Sequence, residues 1–185
     1  MQQLPYKIIG SWAAIMWGAY FLNLVLLNNL NSFGIKPREA FGLIGIVTSP
    51  FLHGSFFHII GNTIPFLVMA LLIATFYKND FIDILVGITL LSGFSTWLLG
   101  ATNSNHIGAS GVVFGLAGFM IGAGFLTKKF IPMGIAMAVI FCYGLPLIAG
   151  LVPLRSGVSY IGHWAGLFSG VGMSYLYKLT NTTNS

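Results

Sequence analysis

The chain has 185 residues, of which 56% are apolar and only 6% charged, and its net charge is +5. A soluble domain carries about 25% charged residues, so this composition excludes an ordinary water-soluble globule and makes a bilayer the natural solvent. The positive charge does not point to nucleic acid either, because the basic residues are scattered between apolar runs and form no patch or stripe.

A hydrocarbon layer about 30 Å thick requires roughly 20 apolar residues per helix. Six segments meet that length, at about 8–30, 57–77, 81–99, 109–126, 130–151 and 157–177, which predicts an all-α membrane protein with a short fourth span. Lys7 before the first span resembles the start of a signal peptide, but "NNLNSFG" after it has no small-x-small cleavage site, so the segment is read as an uncleaved span. The long first loop, about 31–56, is too apolar and too rich in Gly and Pro for a solvated linker, and is expected to lie in the membrane interface. The other connections leave no room for a soluble domain, so residues 1–185 are expected to form one membrane domain. Residues 100–108 read as a re-entrant loop leading into span four. Span five holds Pro132, Gly134, Gly144, Pro146 and Gly150 and is expected to be the least regular and most easily displaced. It also carries the single cysteine, Cys142, read as inert packing. Lys7, Lys78, Lys128, Lys129 and Lys178 fall on one side of the six spans, and Lys36, Arg38 and Arg155 on the other. The positive-inside rule then puts both termini in the cytoplasm.

Polar residues inside a membrane are expensive and by default mark function. Counted back from the cytoplasmic end of its span at 1.5 Å per residue, Asn62, Ser110 and His163 each lie roughly 22 to 26 Å up. His58 is one turn above Asn62 on the same face. Four polar groups on spans two, four and six therefore share one layer. Span four has a glycine face of Gly111, Gly115, Gly118 and Gly122, and span six has Gly162, Gly166 and Gly170. Such faces allow backbones to approach closely in lipid, which predicts that these two spans are neighbours and that Ser110 and His163 meet. Taken singly, each residue has a plainer reading: Ser110 as a small packing residue, His163 as a metal ligand, proton relay or structural hydrogen bond, His58 and Asn62 as ties between loop and helix. Their joint occurrence at one depth favours chemistry.

With these residues placed, the chain resembles the rhomboid family of intramembrane serine proteases. The family's G-x-S-G motif appears as Gly108, Ala109, Ser110 and Gly111; H-x-x-G-x-x-x-G as His163, Gly166 and Gly170; and the span-two signature as His53, His58 and Asn62. The resemblance implies a six-helix rhomboid-like bundle in which Ser110 attacks a peptide carbonyl and His163 is the base. It further implies that His58, Asn62 and the Ser110 N–H stabilise the oxyanion. No acidic residue is placed to complete a triad: Glu39 is in the first loop, and Asp80 and Asp83 are at the other end. Phe114 stands where many relatives carry a tyrosine that stacks on the histidine, and Pro37-Arg38 where some carry Trp-Arg. His53 is read as stabilising its loop, and His106 as either solvent-exposed or anchoring the loop before Ser110; neither is assigned to catalysis. No cofactor or metal is implied. The expected partners are the bilayer and membrane proteins with a transmembrane helix, in a bacterial plasma membrane, with the site open to the external face. The competing readings are a catalytically inactive relative that binds membrane helices, and a small transporter or proton channel using the same histidines. Substrate identity and oligomeric state are not legible in the chain.

Overall fold

The structure is a computed structural model that describes residues 3–153 and 157–182; Arg155, used in the orientation argument, lies outside the described residues. Among the described residues seven α-helices follow one another, α1 (Leu4–Val25), α2 (Gly45–Thr48), α3 (Phe56–Phe76), α4 (Phe81–Leu99), α5 (Ser110–Thr127), α6 (Phe130–Leu151) and α7 (Tyr160–Thr182). No strand occurs among the described residues. An isolated antiparallel bridge joins Ile35 to His106.

Five of the helices, α1, α3, α4, α5 and α6, are long and apolar enough to cross a membrane. The sixth expected span, α7, is long but interrupts its apolar surface with Gly, Ser, His and Lys and does not meet the same measure. Gly162, Gly166, Gly170 and Ser174 pack against α5. The expected boundaries of α3, α4, α5 and α6 hold within a residue, but the first span starts and ends earlier than about 8–30. Pro5 sits in the first turn, where its missing N–H costs nothing. At the other end Leu27 and Asn28 take positive φ and stop the helix. The buried Asn23 amide then accepts from Leu30 N–H and donates to the Asn31 side chain, tying off the turn.

α5 is the central helix, packed most extensively on α7 and also on α4, α6 and α3, while α1 reaches the bundle through α3 and the first loop. Nearly every α5 side chain from Val112 to Met120 is buried, as expected of a helix that is apolar all round. The glycine faces meet as the sequence predicts. A Cβ at Gly111 would sit 3.3 Å from the Gly162 carbonyl. One at Gly166 would strike the Gly111 carbonyl, and one at Gly170 the Gly115 carbonyl. Successive meeting points advance in the same direction along both chains, so α5 and α7 run parallel and their first turns lie side by side. At the far end Tyr77, Phe119 and Tyr177 form an aromatic cluster with centroids 5.0 to 5.8 Å apart.

The first loop is a chain of short helical turns, with Phe41, Leu43, Ile44 and Val47 turned outward. Pro37-Arg38 is tied to the end of α4. Arg38 N–H donates to the Trp97 carbonyl (3.1 Å) and its guanidinium to the Leu98 carbonyl (2.8 Å). Trp97 Nε1 donates in return to the Glu39 carbonyl (2.9 Å), so loop and helix hold each other from both sides. α6 is unbroken from Phe130 to Leu151 despite Pro146, contrary to the expected irregularity. Its looseness is one of packing: only Ile135, Ala136, Val139 and Leu147 are buried, and a Cβ at Gly134 would touch nothing. Cys142, read as inert packing, is on the exposed face of this helix.

Candidate active site

Ser110 is the first residue of α5 and His163 lies in the first turn of α7, so the parallel packing of the two helices sets both side chains at one level. The Ser110 hydroxyl and His163 Nε2 are 2.8 Å apart. The direction of this bond follows from the other nitrogen, since His163 Nδ1 lies 2.7 Å from the Gly150 carbonyl, which can only accept. Nδ1 therefore carries the proton, and Nε2 is the bare nitrogen that accepts from Ser110 O–H. Phe114 stacks on the imidazole almost face to face, 4.2 Å between centroids and 6° between planes.

The position of a triad acid is thus taken by a backbone oxygen. Sequence reasoning misses it because a carbonyl has no residue-type signature; the available signal is the glycine itself. A Cβ at Gly150 would run into the Phe114 ring and come within 3.2 Å of His163 Nδ1. Trp164 Nε1 donates to the neighbouring Leu151 carbonyl at 3.1 Å, so two adjacent α7 side chains hold the end of α6.

The strand of loop before Ser110 is gripped from several sides. Gly108 has φ +111, a conformation that favours glycine, and any Cβ there would lie 2.6 Å from His58 Nε2 and 3.3 Å from Asn62 Nδ2. The same glycine N–H donates to the Ser49 carbonyl (2.9 Å). His58 and Asn62 consequently face the loop at the nucleophile position, with Asn62 buried and donating to the His58 carbonyl (3.2 Å). Ala109, which precedes α5, offers no side-chain cap, leaving the first N–H groups of the helix without intrahelical partners beside Ser110. His53 is fully buried; its Nε2 accepts from Ala109 N–H at 3.5 Å and its ring meets His58 edge-on at 5.0 Å. Burial, with His58 adding to it, pushes the His53 pKa down to about 4 against an opposing contribution from the Phe51 backbone. A cavity of about 30 Å³ adjoins Ser110, with Ser49, Thr89, Ser92, Thr96 and Ser159 among its lining residues. That volume is enough for about one or two water molecules. Among the described residues no three His, Cys, Asp or Glu side chains are grouped as metal ligands.

A membrane-type helical bundle with a serine–imidazole pair at the head of two glycine-packed helices defines the class. Residues 40–179 match the Rhomboid domain family, and the chain belongs to the rhomboid family of integral membrane proteins. It is similar to an uncharacterized protein of Mycobacterium bovis and to one of Mycobacterium tuberculosis, each 32% identical over 93% of this chain and 77% of the relative. An uncharacterized protein of Mycobacterium leprae is 32% identical over 91% of this chain and 69% of its own length.

Proposed function

We propose that the protein is an intramembrane serine endopeptidase that cleaves transmembrane segments of membrane proteins with a Ser110–His163 dyad. The observation that carries the reading is the directed pair of hydrogen bonds at His163, Nδ1–H to the Gly150 carbonyl and Ser110 O–H to Nε2. A serine hydroxyl is a poor nucleophile until a positioned base removes its proton. As Ser110 Oγ attacks the peptide carbon, its proton passes to Nε2; Nε2 then gives it to the leaving amine, and an acyl-enzyme remains. Water, losing its proton to the same nitrogen, attacks the ester, and the proton returns to Ser110 Oγ as the acid departs. The oxyanion of each step is met by Asn62 Nδ2, His58 and the N–H groups at the start of α5, where the helix dipole adds positive potential.

In this reading the six-helix domain, with α7 as its sixth span, lies in a bacterial plasma membrane with both termini cytoplasmic and the site open to the outside. The exposed apolar side chains of the first loop suit the interface there. The test is cleavage of a single-span substrate in proteoliposomes, together with fluorophosphonate labelling of Ser110. Ser110→Ala and His163→Ala are expected to abolish both while the protein still folds, and Asn62→Ala to slow cleavage about 100-fold. Full cleavage by Ser110→Ala would defeat the reading. Folded wild-type protein that binds membrane helices without labelling would favour the inactive relative instead.

A further inference from the structure

His106 is not used by the dyad, yet it is among the most heavily bonded side chains near it. Its backbone makes both hydrogen bonds of the bridge to Ile35, 2.9 Å each. Its ring lies between two serines, Nε2 2.8 Å from Ser104 Oγ and Nδ1 2.6 Å from Ser159 Oγ.

The directions of these bonds are fixed from the ends. Ser104 donates its one hydroxyl proton to the Ala101 carbonyl (2.5 Å), so its oxygen must accept from His106 Nε2–H. Nδ1 is then bare and accepts from Ser159 O–H, while Ser159 Oγ accepts from Gly162 N–H (3.2 Å) and so caps α7. One unidirectional chain runs from Gly162 through Ser159, His106 and Ser104 to Ala101, complete only with a neutral ring. Burial, which lowers the His106 pKa, favours that state.

We propose that His106 is a positioning residue that locks the first turn of α7, and with it the His163 ring, to the loop carrying Ser110. His106 stands four residues before Ser110, and Ser159 stands four before His163 and accepts His163 N–H on its carbonyl (3.0 Å). The His106–Ser159 bond thus closes a loop of covalent and hydrogen-bonded links whose other closure is the dyad itself. It holds the reacting atoms from a second point, and a misplacement of about 1 Å at such a pair costs about 100-fold in rate. The inference rests on the dyad reading for its catalytic consequence, but the lock itself is independent of it.

Three substitutions in the full chain separate the two ring nitrogens. His106→Asn keeps an acceptor near the Nδ1 position for Ser159; His106→Gln keeps a donor near the Nε2 position for Ser104; His106→Ala keeps neither. In proteoliposomes kcat is expected to fall about 10- to 100-fold in the Ala and Gln variants with KM little changed, and Asn is expected to rescue most of the loss. Ser159→Ala should match His106→Ala, and the double variant should be no worse than either. A chemistry-free readout is the mobility of a nitroxide at Val158 in a Cys142→Ser background. It should rise in the Ala and Gln variants and stay low with Asn. Equal behaviour of Asn and Gln in both assays, additive losses at positions 106 and 159, or unchanged nitroxide mobility in His106→Ala would each overturn the lock. A wild-type protein that neither cleaves nor labels, but whose nitroxide follows the expected order, would defeat the dyad reading and leave the lock standing.

Discussion

The residues around Ser110 divide by how they act. Ser110, His163, His58 and Asn62 are visible in the chain because each is an expensive polar group in an apolar setting at recurring spacing. Gly150 and the pairing of His106 with Ser159 are not visible, since one acts through a carbonyl and the other joins residues 53 apart through hydroxyls. Gly150→Ala tests the first. Its methyl would collide with Phe114 and crowd His163 Nδ1, so cleavage should fall about 10- to 100-fold with the melting midpoint changed by only a few degrees, measured in parallel on the same detergent-solubilised sample. His53 yields a pH dependence. Its pKa in the folded state is about 4, below the ordinary 6.5, so between those values the unfolded chain takes up a proton that the folded one refuses. The His53 contribution to stability is therefore full above pH 6.5, falls by on the order of 3 kcal/mol as pH drops toward 4, and levels off below. Thermal melts from pH 7 to 4 should record that slope, and His53→Gln, which keeps an acceptor for Ala109 N–H but does not titrate, should make it shallower.

At the scale of helices, the sequence pattern locates α3, α4, α5 and α6 closely because Asn, Asp and Lys punctuate their ends. It misplaces α1 because the stop is made by positive φ at Leu27 and Asn28, held by the Asn23 side chain folding onto the next turn. The parallel packing of α5 and α7 is legible from glycine spacing alone, since only glycine lets the carbonyls of one helix rest against the backbone of the other at every turn. This packing makes a paired prediction on one helix. Gly170 has no room for a methyl, whereas Gly172, two residues on, has nothing within 4 Å. Gly170→Ala should lower the melting midpoint by several degrees, an overpacking cost of about 1 to 3 kcal/mol, and reduce cleavage. Gly172→Ala should lower neither.

For the whole molecule, the uneven packing of the helices sets what can move. α5 is surrounded, whereas α6 is held mainly along one side of α5 and by the two bonds from His163 and Trp164 to its last carbonyls. A substrate helix admitted to Ser110 from within the bilayer is accordingly expected to displace α6 rather than α4 or α7. Disulfide cross-linking of α6 to α3 should suppress cleavage of a transmembrane substrate and recover on reduction; unimpaired cleavage by the cross-linked protein would exclude this route. α6 is continuous through Pro146 as α3 is through Pro65, so a proline in the sequence does not by itself mark a break in these helices.

The acceptor that orients His163 travels with α6. On the proposed reading, a substrate that displaces the end of that helix takes the partner of Nδ1 with it and leaves the imidazole free to turn or to move its proton to the other nitrogen, so Ser110 is expected to be disarmed during admission. Admission and bond cleavage are then expected to be successive, as in an interlock, and a compound wedged between α6 and α7 is expected to silence the serine without ever touching it.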